Sequence, residues 1–143
     1  MLFRSYGKAS EQHNAWADAI CSSLQLINFW QDVAIDYRKD RIYFPQDEMS
    51  AHGITEAQIA TGDTNGRWRE FMSFQVRRAR EFLYSGVPLG RVLPGRLGLE
   101  MRMIIAGGAR ILAKIEKVDY DVFRARPVLR PMDWLYMLGR SVP

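Results

Sequence analysis

At 143 residues the chain fits one domain and is long enough to bury about two-thirds of the surface that its unfolded form exposes. Sixteen arginines and four lysines stand against 16 acids, giving a net charge of +4: a mixed surface with a modest basic excess, which excludes the dense basic stripe of a nucleic-acid binder. The lone Cys21 excludes a disulfide framework and, with no secretory signal at the start and no apolar run near the roughly 18 residues of a membrane span, points to a cytoplasmic protein.

Helical periodicity pervades the sequence and strand signals are scarce, so an all-α helical bundle is expected, with no repeat, linker or second domain. The first helix is predicted over about residues 10–37, entering near Ser10. At 100° per residue its Gln25, Asn28, Asp32 and Asp36 fall at about 0°, 300°, 340° and 20°, one polar line within roughly 80°. Leu24, Leu26, Ile27, Phe29, Trp30, Val33 and Ile35 cover the other directions, so the helix is expected inside a bundle with its polar line facing a cavity.

A loop follows over about 38–53, carrying Arg41, Tyr43, Pro45 and Gly53. Thr55-x-x-Gln58 reads as a capping box for a short helix that ends near Gly62. From about 65 to 85 the set Trp68, Phe71, Met72, Gln75, Val76, Ala79, Phe82 and Leu83 recurs at three and four, an amphipathic helix. Its arginines alternate with Glu70 and Glu81, as on a solvated bundle face, and no aromatic-basic motif for bases accompanies them.

Gly86 to Gly95, with Pro88 and Pro94, is predicted as a turn-rich connection. The next helix, about 96–117, is expected to bury Leu97, Met101, Ile104, Ile105, Gly108, Ile111, Leu112 and Ile115. The pair Gly107-Gly108 allows either another helix or a ligand chain to come close. After a loop between Pro127 and Pro131 comes a last helix, Met132 to Arg140, whose Trp134-Leu-Tyr-Met-Leu138 run suits core packing or peripheral membrane contact. His13 and His52 stand in polar surroundings and are expected on the surface.

Asp32 and Asp36, one turn apart, leave two readings open: a solvated pair balanced by Arg38, Lys39 and Arg41, or a buried pair that repels itself unless a cation intervenes. For the second, hard oxygen ligands suit Mg²⁺ and a phosphorylated substrate. Asp40 precedes Arg41 and is a residue type that tolerates left-handed backbone angles.

The run Gln25-x-x-Asn28-x-x-x-Asp32-x-x-x-Asp36, followed by Arg41-x-Tyr43-x-Pro45, resembles the second aspartate-rich motif of the squalene and phytoene synthase family. The Phe29-Trp30-Gln31 insert, Trp16 to Cys21, Gly107 to Glu116 and Asp119 to Phe123 look most like its hydroxysqualene synthase branch, so the likeness covers nearly the whole chain. That resemblance implies an isoprenoid-synthase bundle in which Asp32 and Asp36 ligate Mg²⁺, Asn28 and Gln25 hydrogen-bond the reacting end of the substrate or the metal's waters, and Arg41 and Tyr43 contact the diphosphate.

The implied reaction is conversion of presqualene diphosphate to hydroxysqualene. The alternative within the family is head-to-head condensation of two prenyl diphosphates such as farnesyl diphosphate. Outside catalysis, the alternative is a bundle that binds a partner protein, as an assembly factor of this fold does. Asp18, Asp47, Asp63, Asp119, Asp121 and Asp133 supply no second aspartate-rich motif on a separate segment. Members of the family run to about twice this length, so the chain is expected to be one partial isoprenoid-synthase domain, the C-terminal half, and inactive alone; the missing N-terminal half is then its partner.

Overall fold

The structure is a computed structural model and describes residues 8–141. Those residues form eight helices and no strand: α1 (Lys8–Gln31), α2 (Val33–Arg38), α3 (Gln46–Ala51), α4 (Glu56–Thr61), α5 (Trp68–Ser85), α6 (Val87–Val92), α7 (Gly95–Lys117) and α8 (Pro131–Ser141). The all-α expectation holds. Three long helices, α1, α5 and α7, pack on one another, while α6 and α8 lie against α7 and α2 meets α4.

The rotation of α1 follows from one buried face. Ile20, Ser23, Ile27 and Trp30 recur at three and four and are all buried. The Ser23 hydroxyl donates to the Ala79 carbonyl of α5 at 2.7 Å, satisfying a buried polar group in the helix interface. Gly108 of α7 sits at the crossing: a Cβ there would lie 3.2 Å from Ile27 Cδ1 and 3.3 Å from Leu83 Cδ2. Of the two uses the glycine pair allowed, close helix approach is the one observed.

An aromatic column fixes the chain that follows α2. Phe44 stacks on Trp30 (centroids 4.7 Å apart, 8° between planes) and meets Phe71 and Trp68 edge-on, while Trp68 packs against Phe123. The Trp68 indole N–H donates to the Tyr120 carbonyl at 2.9 Å, so the segment after α7 is tied to α5. Half of the predicted capping box is present: the Thr55 hydroxyl accepts from the Gln58 N–H, while the Gln58 amide donates instead to the Asp63 and Asn65 carbonyls, and Gly62 closes α4 with a φ of 66°. Asp40 adopts the left-handed region at φ 58°, as its type permits.

Several expectations change. The first helix is interrupted at Asp32 (φ −112°, ψ 20°), although the Asp32 N–H still donates to the Asn28 carbonyl, so the stripe is bent rather than broken. The loop after it holds α3, whose Met49 is buried, and the Gly86–Gly95 connection forms α6, with Pro88 tolerated in its first turn. Leu97 and Ile104, placed on the buried side, are exposed because no described element lies over that strip of α7. His52 is half-buried, packed beside Phe71 and Phe74 with Nδ1 3.0 Å from the Glu48 carbonyl oxygen. Among the α8 residues whose burial is described, only Asp133 and Met137 are buried; Trp134, Leu135, Tyr136 and Leu138 are exposed, since a single helix wall offers one face to pack on.

Gly86, where α5 meets α6, leaves no room for a side chain: an added Cβ would lie 2.4 Å from Ile20 Cγ1 and 2.7 Å from the Trp16 carbonyl oxygen. Gly86→Ala is expected to destabilise the chain by about 1–3 kcal/mol in urea titration, the usual cost of overpacking. Gly139, on α8 with open space at its Cβ, is the control: Gly139→Ala should be neutral or stabilise by up to about 1 kcal/mol.

Candidate functional site

The polar line of α1 and α2 is divided by its surroundings. Gln25 and Asn28 are exposed, with no described element facing them, while Asp32 and Asp36 are half-buried. The line therefore lies along an open face rather than in an enclosed cavity. Asp36 lies where the chain turns out of α2, and its carbonyl accepts the backbone N–H groups of Lys39 and Arg41 at 3.0 and 2.9 Å. This turn closes the Arg41 backbone on the Asp36 carbonyl, near enough for the Arg41 charge to act on the Asp36 carboxyl. Asp40 also stands four residues beyond Asp36, but it lies past the end of α2 in the left-handed region and so leaves the stripe.

Burial pushes the Asp36 carboxyl above its ordinary range, the neighbouring charge of Asp32 adds to that, and Lys39 and Arg41 oppose it. The two carboxylates thus sense each other. A cation between or beside them would relieve both causes.

Tyr43 is positioned by α1. Its ring stacks on Phe29 with centroids 4.0 Å apart and 3° between planes, and alternation along the extended chain sends Phe44 the other way, into the core. Phe29, Asp36 and Tyr43 line one crevice of about 10 Å³, at the lower limit for a single water. Gln25, Asn28, Asp32 and Asp36 are thus held by helix, and Arg41 and Tyr43 by the turn and the stack.

Sequence spacing missed Arg126. Its Nε donates to Asp32 Oδ1 at 2.7 Å, across 94 positions of chain. Beside it the Gln31 amide donates to the Pro127 carbonyl at 2.5 Å. The connection between α7 and α8 is therefore pinned to the end of α1 at the first carboxylate. No local pattern around Arg126 signals this, because the contact is made by tertiary folding alone.

Asp133 anchors the other end of that connection. Its buried carboxylate accepts from Arg110 Nε at 2.7 Å, Lys114 Nζ at 2.6 Å and the Arg130 backbone N–H at 2.7 Å. Hydrogen bonds from Lys114 and Arg110, then from the Arg130 backbone, hold it far below the usual carboxylate range. Lys114 also donates to the Val128 carbonyl, fixing the loop that carries Arg126.

The sequence matches the family described as squalene/phytoene synthase over residues 1–133. The chain belongs to the squalene/phytoene synthase family. Among its relatives are a phytoene synthase of Arthrospira platensis, 36% identical over 71% of this chain and 33% of the relative, and a chloroplastic phytoene synthase of Narcissus pseudonarcissus, 41% identical over 85% and 29%. A chloroplastic phytoene synthase of an Oncidium hybrid cultivar is 45% identical over 71% and 25%. This squalene/phytoene synthase chain spans about a third, or less, of the length of these curated relatives.

Within this member of the family, the chemistry of the donor set limits what the carboxylates can hold. No group of three or more His, Cys, Asp or Glu that could hold a metal ion occurs among the described residues. Two carboxylates are too few for an all-protein cage; as hard oxygen donors they fit an ion of the Mg²⁺ type, which keeps several waters. Also among the described residues, no helix is long and apolar enough to cross a membrane.

The lowered carboxyl of Asp133 sets a pH dependence. A depressed folded-state value contributes stability that is fully present above the unfolded range, about pH 4, and is lost as pH falls below it. The thermal midpoint of the parent chain is expected to fall more steeply between pH 5 and roughly pH 2 than that of Asp133→Asn, which should already be less stable at neutral pH. Parallel curves would mean that Asp133 does not hold the α7–α8 connection.

Proposed function

We propose that this chain supplies the second metal-binding half of a head-to-head prenyl transferase site, with Asp32 and Asp36 as Mg²⁺ ligands. The observation that carries the reading is the pair itself: two half-buried carboxylates, with the charge of Asp32 raising the Asp36 carboxyl, on a stripe whose spacing resembles the family's second aspartate-rich motif. When bound, Mg²⁺ neutralises the charge that develops on a departing diphosphate, which is what lets the C–O bond of a prenyl diphosphate ionise.

The protein's own groups do the rest. Asn28 and Gln25, one and two turns before Asp32, offer amide donors and acceptors along the same open face to the reacting end of the substrate. Arg41, returned to Asp36 by the backbone turn, and Tyr43, locked flat on Phe29, present a fixed charge and a phenol beside the carboxylates for the diphosphate. Arg126 holds Asp32 through its Nε, and were Asp32 to ligate a cation, the guanidinium would be free to pair with a phosphate beside it. The face is open on this chain, so exclusion of water from a carbocation requires further protein, and no separate segment of the sequence supplies a second aspartate-rich motif. The chain alone is therefore inactive, and its partner is a polypeptide segment that carries the facing acidic motif.

For the substrate, the Phe29-Trp30-Gln31 insert favours presqualene diphosphate converted to hydroxysqualene. The names of the relatives favour the second reading, condensation of two prenyl diphosphates.

Isothermal titration tests the site without turnover. Mg²⁺-dependent binding of a non-reactive prenyl diphosphate analogue should weaken at least about tenfold in Asp32→Asn and in Asp36→Asn, since even outer-sphere partners of metal ligands cost that much. Arg126→Gln should bind Mg²⁺ alone more tightly and the diphosphate more weakly. Unchanged titrations in both Asp variants would remove the metal assignment. Pyrophosphate release from presqualene diphosphate, absent with the chain alone and present once a segment bearing the facing motif is added, decides the activity; product analysis with farnesyl diphosphate separates the two substrate readings.

A further inference from the structure

Arginine gathers on another face of the molecule. Between α5, α6, α7 and α8 runs an open groove of about 540 Å³, lined by Arg80, Arg91, Arg102 and Arg110 with Tyr84 and Tyr136. Its floor is small and apolar, because Ala106, Ala109 and Ala113 recur at three and four along α7 beside Ile105. No carboxylate lines it.

Three of the four arginines are set in place by neighbouring groups. Arg80 pairs with Glu116, Arg110 Nε reaches Asp133 at 2.7 Å while its guanidinium lies 4.6 Å from the centre of the Tyr136 ring, and Arg102 Nη1 donates to the Gly90 carbonyl at 2.7 Å. Arg91 is exposed and forms no ion pair among the described residues. The rim is amphipathic: Tyr84 is 53% exposed, Tyr136 49%, and Val92 and Leu135 stand exposed next to Arg91 and Tyr136.

Guanidinium groups are matched to phosphate oxygens, and aromatic rings with a polar tip settle at the headgroup level of a bilayer. A free phosphate would use the charges but neither the apolar floor nor the aromatic rim. We propose that this groove seats the phosphate headgroup of an anionic phospholipid and docks the protein on a negatively charged bilayer, with Arg91 as its freest cation. The groove shares no residue with the stripe of Gln25, Asn28, Asp32 and Asp36, so the docking surface stands or falls apart from the metal assignment.

Co-sedimentation of the 143-residue chain with phosphatidylcholine vesicles, with and without phosphatidylglycerol, is the test. Binding is expected only to the anionic vesicles. Arg91→Glu should lower it about tenfold or more, because each basic group near such a surface contributes substantially and reversal adds repulsion. Tyr84→Ser, which changes no charge, should also weaken it, and far-ultraviolet circular dichroism of both variants checks that they fold. Arg67→Glu makes the same charge change at the exposed start of α5, outside the groove, and should change binding little. Equal losses in Arg91→Glu and Arg67→Glu would reduce the effect to net charge and overturn the proposal, as would equal binding to neutral vesicles. Shifts of groove amide signals on titrating inorganic phosphate, without vesicle binding, would assign the groove to a free anion and overturn the lipid reading.

Discussion

The orientation of α1 about its own axis is the constraint on which the rest depends. One helix has to supply both a wall of the core and the polar stripe, so burying one determines where the other points. Ser23 bonded to Ala79, Ile27 lodged at Gly108 and Trp30 stacked under Phe44 fix that angle at three levels. A rotation of one residue, about 100°, would carry Trp30 out of the aromatic column and turn Asp32 and Asp36 away from the Arg126 connection. Packing in the interior is dense enough that such intermediate orientations are not available. The stripe is therefore presented by the core, and the absence of a side chain at Gly108 is as much a part of the acidic site as the carboxylates are.

The same economy governs the turn after α2. Tyr43 and Phe44 are adjacent and point oppositely, one onto Phe29 and one into the core, so the burial of Phe44 is what holds Tyr43 beside Asp36. Asp40 makes the return possible by accepting a positive φ at modest cost, a conformation that a β-branched residue would resist. From there the Arg41 N–H closes back on the Asp36 carbonyl. Backbone strain, aromatic stacking and carboxylate placement thus form one chain of cause, from residue 29 to residue 44.

How much of this the sequence reveals depends on whether each feature is written locally. The spacing of Gln25, Asn28, Asp32 and Asp36, the cap at Thr55, the left-handed tolerance of Asp40 and the long amphipathic helix of α5 are local, and all are found. Short helices α3 and α6 escape because six-residue segments carry too few turns to establish a period against Gly and Pro signals. Leu97, Ile104 and most of the apolar residues of α8 are exposed although apolar, because periodicity marks a face that can be buried without saying whether a neighbour lies over it. Arg126 is invisible for the opposite reason: arginines are frequent in this chain, and only folding brings one of the sixteen to Asp32.

Electrostatics divides the carboxylates by what surrounds them. Asp133 is buried among two cationic side chains and a backbone donor, so its charge is fully compensated and it serves to tie α7 to the connection that follows. Asp36 is half-buried beside another carboxylate, with its cations at the margin, so its charge is disfavoured. A fold that spends three donors on Asp133 has no structural need to leave Asp36 under-compensated. Yet it does so on the open face, one turn from an Asp32 whose partner Arg126 is itself half-exposed and bound by a contact worth about 1 kcal/mol or less. An interaction that weak is easily exchanged. On the proposed metal assignment, a divalent ion arriving with phosphate oxygens would gain two carboxylates and displace only that one contact, while the freed guanidinium would find a new anion in the same phosphate; the disfavoured charge of Asp36 and the weakness of the Arg126 contact are the physical grounds of that reading.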